Sequence, residues 1–151
     1  MPSVSSRVTI AASRAAVWEA LSDLTRTEVY MPGIASVDWV GEAREGPGAT
    51  RHCRFEDGVE LVERVVEWRG MEGYSLETIS FRGVPMRSNR ITFSLADRDG
   101  GCEVTQAMQY RMKGGVVAPA LAFVARPMMR RALEGALEGL KAHVEGRSTD
   151  G

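Results

Sequence analysis

Arg7-Val8-Thr9-Ile10-Ala11, running through Ala12-Ser13 into Arg14-Ala15-Ala16-Val17-Trp18-Glu19-Ala20-Leu21-Ser22-Asp23, is the stretch on which the fold turns. Val8 and Ile10 share one face of an extended segment. Val17, Leu21 and Leu24 then recur at the i, i+4, i+7 spacing of a helix, and Ser13 is placed to cap its first turn. A strand therefore feeds directly into an amphipathic helix. The other end of the chain repeats the helical signal at greater length. From Val116 to Glu145, Met129, Leu133, Leu137, Leu140 and Val144 fall on one side, with Arg130, Glu134, Glu138, Lys141 and Glu145 largely opposite. Arg130 and Glu134 form a favourable i, i+4 pair. Pro127 lacks a backbone donor, which predicts a kink or a fresh helix start near Arg126-Pro127.

Between the helical ends, Gly, Pro and Asp cut the sequence into short β-rich pieces. The predicted strands are Ala35–Gly41, Ala49–Glu56, Val59–Arg69, Tyr74–Phe81, Ser88–Ala96 and Glu103–Lys113. Their breaks, such as Asp57-Gly58 and Asp97-Arg98-Asp99-Gly100-Gly101, are short turns, so the strands form an antiparallel meander. Alternation orients most of them. Val104, Gln106, Met108, Tyr110 and Met112 share the inward face of the last strand; Ile91, Phe93 and Leu95 oppose Arg90, Thr92 and Ser94; Tyr74, Leu76 and Thr78 oppose Ser75 and Glu77. The strand carrying Glu63 is undecided, because Leu61, Glu63 and Val65 compete with Val62, Arg64, Val66 and Trp68 for the interior.

Length and charge narrow the function. The 151 residues make one domain, expected over 1–146, with a flexible polar tail at 147–151. The 19 basic and 20 acidic residues leave a formal charge of −1 and no basic block, which argues against nucleic acid as a partner. No apolar run approaches the roughly 20 residues of a membrane span, and the N-terminus has no signal core, so a soluble, cytoplasmic protein is expected. Cys53 and Cys102 stand apart from each other and from His52 and His143, which supports neither a metal site nor a redox motif. No disulfide between the two cysteines is expected, and no cofactor is implied.

The order of elements, taken with the residues, resembles the polyketide cyclase/dehydrase branch of the START-like (SRPBCC) superfamily. The resemblance rests on Ala11 to Asp23, Tyr30-Met31-Pro32-Gly33-Ile34, Gly46-Pro47-Gly48-Ala49-Thr50, Glu63-Arg64-Val65, Gly100-Gly101-Cys102-Glu103-Val104-Thr105 and Leu140-Lys141-Ala142-His143-Val144-Glu145. Tyr30 stands where many relatives have Trp, and Cys102 where Thr is common. The resemblance implies an α+β helix-grip fold: a seven-stranded, bent antiparallel sheet wrapped around a long C-terminal helix, with short helices between strands 1 and 2. It also implies a lipophilic-ligand cavity between sheet and helix.

Within that frame, the polar residues on predicted inward faces are the candidates for chemistry. As an enzyme, the protein would be a polyketide cyclase or aromatase, with Glu63 taking an α-proton and Tyr74 or Tyr110 hydrogen-bonding the enolate before aldol closure. A buried Glu63 is also explained, and more simply, as half of an ion pair with Arg51, Arg54 or Arg90. As a carrier or sensor, the protein would hold a polyketide, lipid or quinone-like molecule against Tyr30, Leu76, Phe93, Gln106, Met108, Met112, Met128 and Leu133, the methionines supplying an adaptable lining. Gly33, Gly83, Gly114 and Gly115 flank possible gates. A third reading is a partner-binding or dimerising module, with Trp39 and Trp68 as an outer patch; the protein is expected to be a monomer or a homodimer.

Overall fold

A computed structural model describes residues 3–27, 31 and 33–150. The opening strand, β1 (Ser3–Ile10), passes through Ala12 into α1 (Arg14–Leu21), where Ser13 Oγ accepts a hydrogen bond from the Ala16 amide at 3.1 Å. This satisfies one of the donors that a helix start leaves open. Six further strands follow: β2 (Ile34–Val40), β3 (Thr50–Phe55), β4 (Glu60–Arg69), β5 (Gly73–Arg82), β6 (Met86–Arg98) and β7 (Gly101–Met112). They form one antiparallel sheet in the order β1-β7-β6-β5-β4-β3-β2, so the first strand pairs with the last. A one-turn 3-10 helix (Gly115–Val117) leads into α2 (Ala118–Asp150), which packs on β1 and β7 and touches α1.

Each strand lies within a few residues of its predicted position, and the fold is the expected helix-grip arrangement. One difference concerns Pro127. The helix runs through it without a new start. Phe123, whose carbonyl would have met the missing amide, is 75% exposed, so its backbone is open to water and the loss is cheap there.

Irregularities in pairing bend the sheet. β4 and β5 slip out of step between Val62 and Glu63, and again between Val65 and Glu67. Such bulges add local twist and change which residues face a given side. They also resolve the undecided strand. Glu63 and Val65 point inward, at 4% and 1% exposure, and the second slip then returns Trp68 to the same side, where its ring stacks on Tyr74 with centroids 5.4 Å apart. Simple alternation fails because the inward set changes phase partway along.

The interior has two clusters. One gathers Ile10, Val17, Leu21, Tyr74, Leu76, Val104, Leu137 and Leu140 around the corner of β1 and α1. Lys141 Nζ and Glu145 Oε2 bind α2 to this corner, the first donating to the Thr9 carbonyl at 2.8 Å and the second accepting from the Ala11 amide at 3.2 Å. The other cluster gathers Val4, Met86, Met108, Tyr110, Met112, Ala122, Met129 and Leu133 under the first half of α2. Cys53 on β3 and Cys102 on β7 are both free, with β4, β5 and β6 between them.

Candidate functional site

The concave face of the sheet carries a polar row. Cross-strand pairing sets Arg51 of β3 against Glu63 of β4, and Glu63 against Thr78 of β5. Asn89 of β6 continues the row, its Nδ2 donating to Thr78 Oγ1 at 3.4 Å. These four side chains come together because each occupies an inward position of its own strand. Around them the wall is apolar, and α2 stands off from it, leaving a cavity of about 370 Å³. Ile34, Phe55, Leu61, Met86, Ile91, Phe93 and Met108 line the sheet side; Met129, Ala132 and Leu133 line the helix side. That volume lies toward the lower end of the range of small-molecule pockets, and an apolar wall with a few fixed polar groups is their usual composition.

Arg51 and Glu63 form a buried ion pair. Glu63 Oε1 accepts from Arg51 Nε at 3.0 Å and lies 2.9 Å from Nη2. Arg51 Nη1 donates to the Leu24 carbonyl and to Thr27 Oγ1, both at 2.8 Å. The guanidinium thus ties the segment after α1 to the cavity wall, with donors on both its edges engaged. Cys53 adds a weaker contact, its Sγ donating to Glu63 Oε1 at 3.6 Å. Burial, with the nearby Glu63 carboxylate adding to it against the opposing pull of Arg51, pushes the Cys53 thiol up to about 12. It stays protonated and is a poor nucleophile.

The residues singled out from sequence divide accordingly. Glu63, Phe93, Gln106, Met108 and Leu133 are on the cavity wall. Tyr74 is not: it is fully buried among Trp18, Trp68 and Phe93, and its hydroxyl donates to the Leu21 carbonyl at 2.9 Å. Tyr110 donates to the Ala122 carbonyl of α2 at 2.8 Å and is also fully buried away from the wall. Leu76 packs in the first cluster and Met112 in the second. Met128 is 67% exposed, because Met129 and Leu133 take the inward i, i+4 positions and their neighbour is carried round the helix. Tyr30 lies outside the described residues.

Asn89, Arg51 and Cys53 are wall residues that the reading from sequence did not assign to the site. Asn89 had a signal: extending the alternation of Ile91, Phe93 and Leu95 one step back reaches it. Of the two tryptophans considered for an outer patch, Trp68 packs against Trp18 and Tyr74, and Trp39 lies partly buried with the Arg44 guanidinium 4.9 Å above its ring. His52 Nε2 is 2.9 Å from Glu60 Oε1. Among the described residues, no group of His, Cys, Asp or Glu is arranged to hold a metal ion, and no helix is long and apolar enough to cross a membrane.

A bent sheet closed by a long helix over an apolar cavity defines a helix-grip protein of the START-like class. More narrowly, the chain belongs to the polyketide cyclase/dehydrase and lipid transport family, whose model matches residues 1–145. A search of curated proteins found no match. Among solved structures, a protein from Thermus thermophilus superposes with a TM-score of 0.81 at 18% identity, covering 97% of this chain and 99% of that one. A START superfamily protein from Mycobacterium smegmatis gives 0.76 at 16% identity, covering 95% and 97%. Ara h 8.0201 gives 0.75 at 17% identity, also covering 95% and 97%. At these identities the likeness establishes the fold.

Proposed function

We propose that this protein binds a hydrophobic small molecule, of polyketide, lipid or quinone-like character, between the sheet and α2. The observation that carries the reading is the cavity of about 370 Å³, apolar except for a buried polar row on one wall. Thermal denaturation against a panel of quinones, fatty acids and aromatic polyketides tests it. A ligand at about 100 times its Kd stabilises by about 2.7 kcal/mol. Met108→Trp, which fills the space from the sheet side, is expected to abolish that stabilisation while still unfolding cooperatively. A panel that shifts both proteins equally rules the cavity out as the site.

Catalysis is the less supported alternative. Glu63 is on the wall as a cyclase base would be, but its carboxylate is already paired with the Arg51 guanidinium, and the hydroxyls of Tyr74 and Tyr110 are spent on backbone carbonyls. If a bound poly-β-keto compound is recovered unchanged, binding without turnover stands; a cyclised product lost in Glu63→Gln reverses the ranking. A docking role has its own support in the exposed Val116 of the 3-10 helix and Phe123, Val124 and Met128 in the first turns of α2. Light scattering decides for or against self-association through them: a monomer at all concentrations removes dimerisation.

A further inference from the structure

Two buried acceptors belonging to cavity-lining residues meet no protein donor, Asn89 Oδ1 and Gln106 Oε1, and each has almost no surface of its own open, so a ligand's donor reaches it through a turn of the carboxamide. Their residues are 5% and 1% exposed. An unpartnered buried carbonyl oxygen carries the full cost of its lost solvation, which makes it a strong acceptor for any donor brought to it.

The surrounding tyrosine, guanidinium and thiol donors are already committed. Tyr110, the cross-strand neighbour of Asn89, gives its hydroxyl proton to Ala122, and Tyr74, next to Phe93, gives its own to Leu21. Arg51 is engaged by Glu63, Leu24 and Thr27, and the Cys53 thiol points to Glu63. The two carboxamides do not serve each other either. Asn89 pairs across from Tyr110 and Phe93 pairs across from Gln106, four residues along the strand, a separation of roughly 13 Å at about 3.3 Å per residue.

The charge on the wall is balanced. Arg51 and Glu63 neutralise each other, and Arg131 borders the cavity from the exposed side of α2. A carboxylate head buried beside the two carboxamides would add a third charge next to the Arg51–Glu63 pair, and one turned toward Arg131 would leave both oxygens without a donor.

We infer that the molecule this cavity takes is a neutral apolar compound carrying a hydroxyl or N–H, donated to Asn89 Oδ1 or Gln106 Oε1. The inference rests on the cavity reading above and narrows it to a ligand class: alcohols, phenols and similar donors rather than fatty acid anions or pure hydrocarbons.

Three probes of one shape test it by isothermal titration calorimetry at pH 7: 1-naphthol, which donates; 1-methoxynaphthalene, which only accepts; and 1-naphthoate, which is charged. We expect naphthol to bind about tenfold more tightly than the ether, a difference of about 1.4 kcal/mol, and naphthoate to bind most weakly. In the Asn89→Leu/Gln106→Met double variant, which keeps side-chain volume, naphthol and ether should bind alike. Gln106→Met without ligand should melt above the parent protein, since it removes an unpaired acceptor. Equal binding of naphthol and ether to the parent protein overturns the inference and leaves the cavity reading standing. Tighter binding of the ether, as a carboxamide turned to present its N–H would give, also overturns it. Binding of none of the three removes the cavity reading and the inference together.

Discussion

Under Leu137, Leu140 and Val144, Trp18 of α1 joins Trp68, Tyr74 and Phe93 of the sheet, the rings packing edge-on, stacked or tilted at 5.1 to 6.1 Å between centroids. Under Met129 and Leu133, two turns earlier on the same helix, it presents Met86, Met108 and Ile91 around open space. One backbone arrangement thus supports a solid half and a hollow half. In the solid half, rigid rings fill the gap and the buried Tyr74 hydroxyl is satisfied. In the hollow half, flexible thioethers line a void and two carbonyl oxygens are left over. Hollowness here comes from the side chains these shared strands carry together with where α2 stands over them.

The hardest blow to this contrast falls on the pair that borders the void. Arg51→Leu leaves Glu63 buried without a counter-charge and is expected to cost about 3–5 kcal/mol in urea unfolding. Arg51→Leu with Glu63→Leu should recover most of that. A single variant as stable as the parent would mean the pair holds nothing together.

Next come paired truncations in the two halves. Leu140→Ala opens a new hole among close-packed rings and should cost about 4 kcal/mol, whereas Met108→Ala enlarges a space that already exists and should cost about 2 kcal/mol. Equal losses from the two would erase the distinction between halves.

A smaller effect is read by pH. Cys53 ionises near 9 when unfolded but only at about 12 in the folded protein, because burial disfavours the thiolate. The folded state therefore keeps a proton that the unfolded state gives up, and stability that is fully present below pH 9 drains away as pH rises toward 12. By pH 10 the loss is about 1.4 kcal/mol. Melting curves at pH 8 and pH 10 should show this decline in the parent protein relative to Cys53→Val; parallel curves would place the thiol in contact with solvent.

The gentlest change, Met108→Leu, nearly conserves volume and should alter stability by less than about 1.5 kcal/mol. Its interest lies in ligand affinity, since a branched side chain adapts less to a guest.

How much of this was readable beforehand follows from periodicity. β7 alternates cleanly from Cys102 to Met112, so its inward face could be read directly. β4 could not, since the slip between Val65 and Glu67 shifts its phase and only the three-dimensional sheet reveals that Glu63 and Trp68 share a side. Inwardness alone also fails to separate wall from filling: Tyr74 and Gln106 are both inward and fully buried, yet only Gln106 reaches the void. The difference depends on where the opposing helix stands, which no single strand encodes. Arg51 illustrates the same limit, since its acceptors on Leu24 and Thr27 come from a segment distant in the chain.

The pairing of β1 with β7 has a consequence for how the molecule is made. Ser3 sits opposite Gln109, so the first strand of this sheet has no partner until the last has followed it out of the ribosome. Contacts that span so much sequence slow folding, because a large loop must close before they are rewarded. During synthesis β1 therefore stays an unzipped ribbon until β7 has emerged, and the sheet is completed only then.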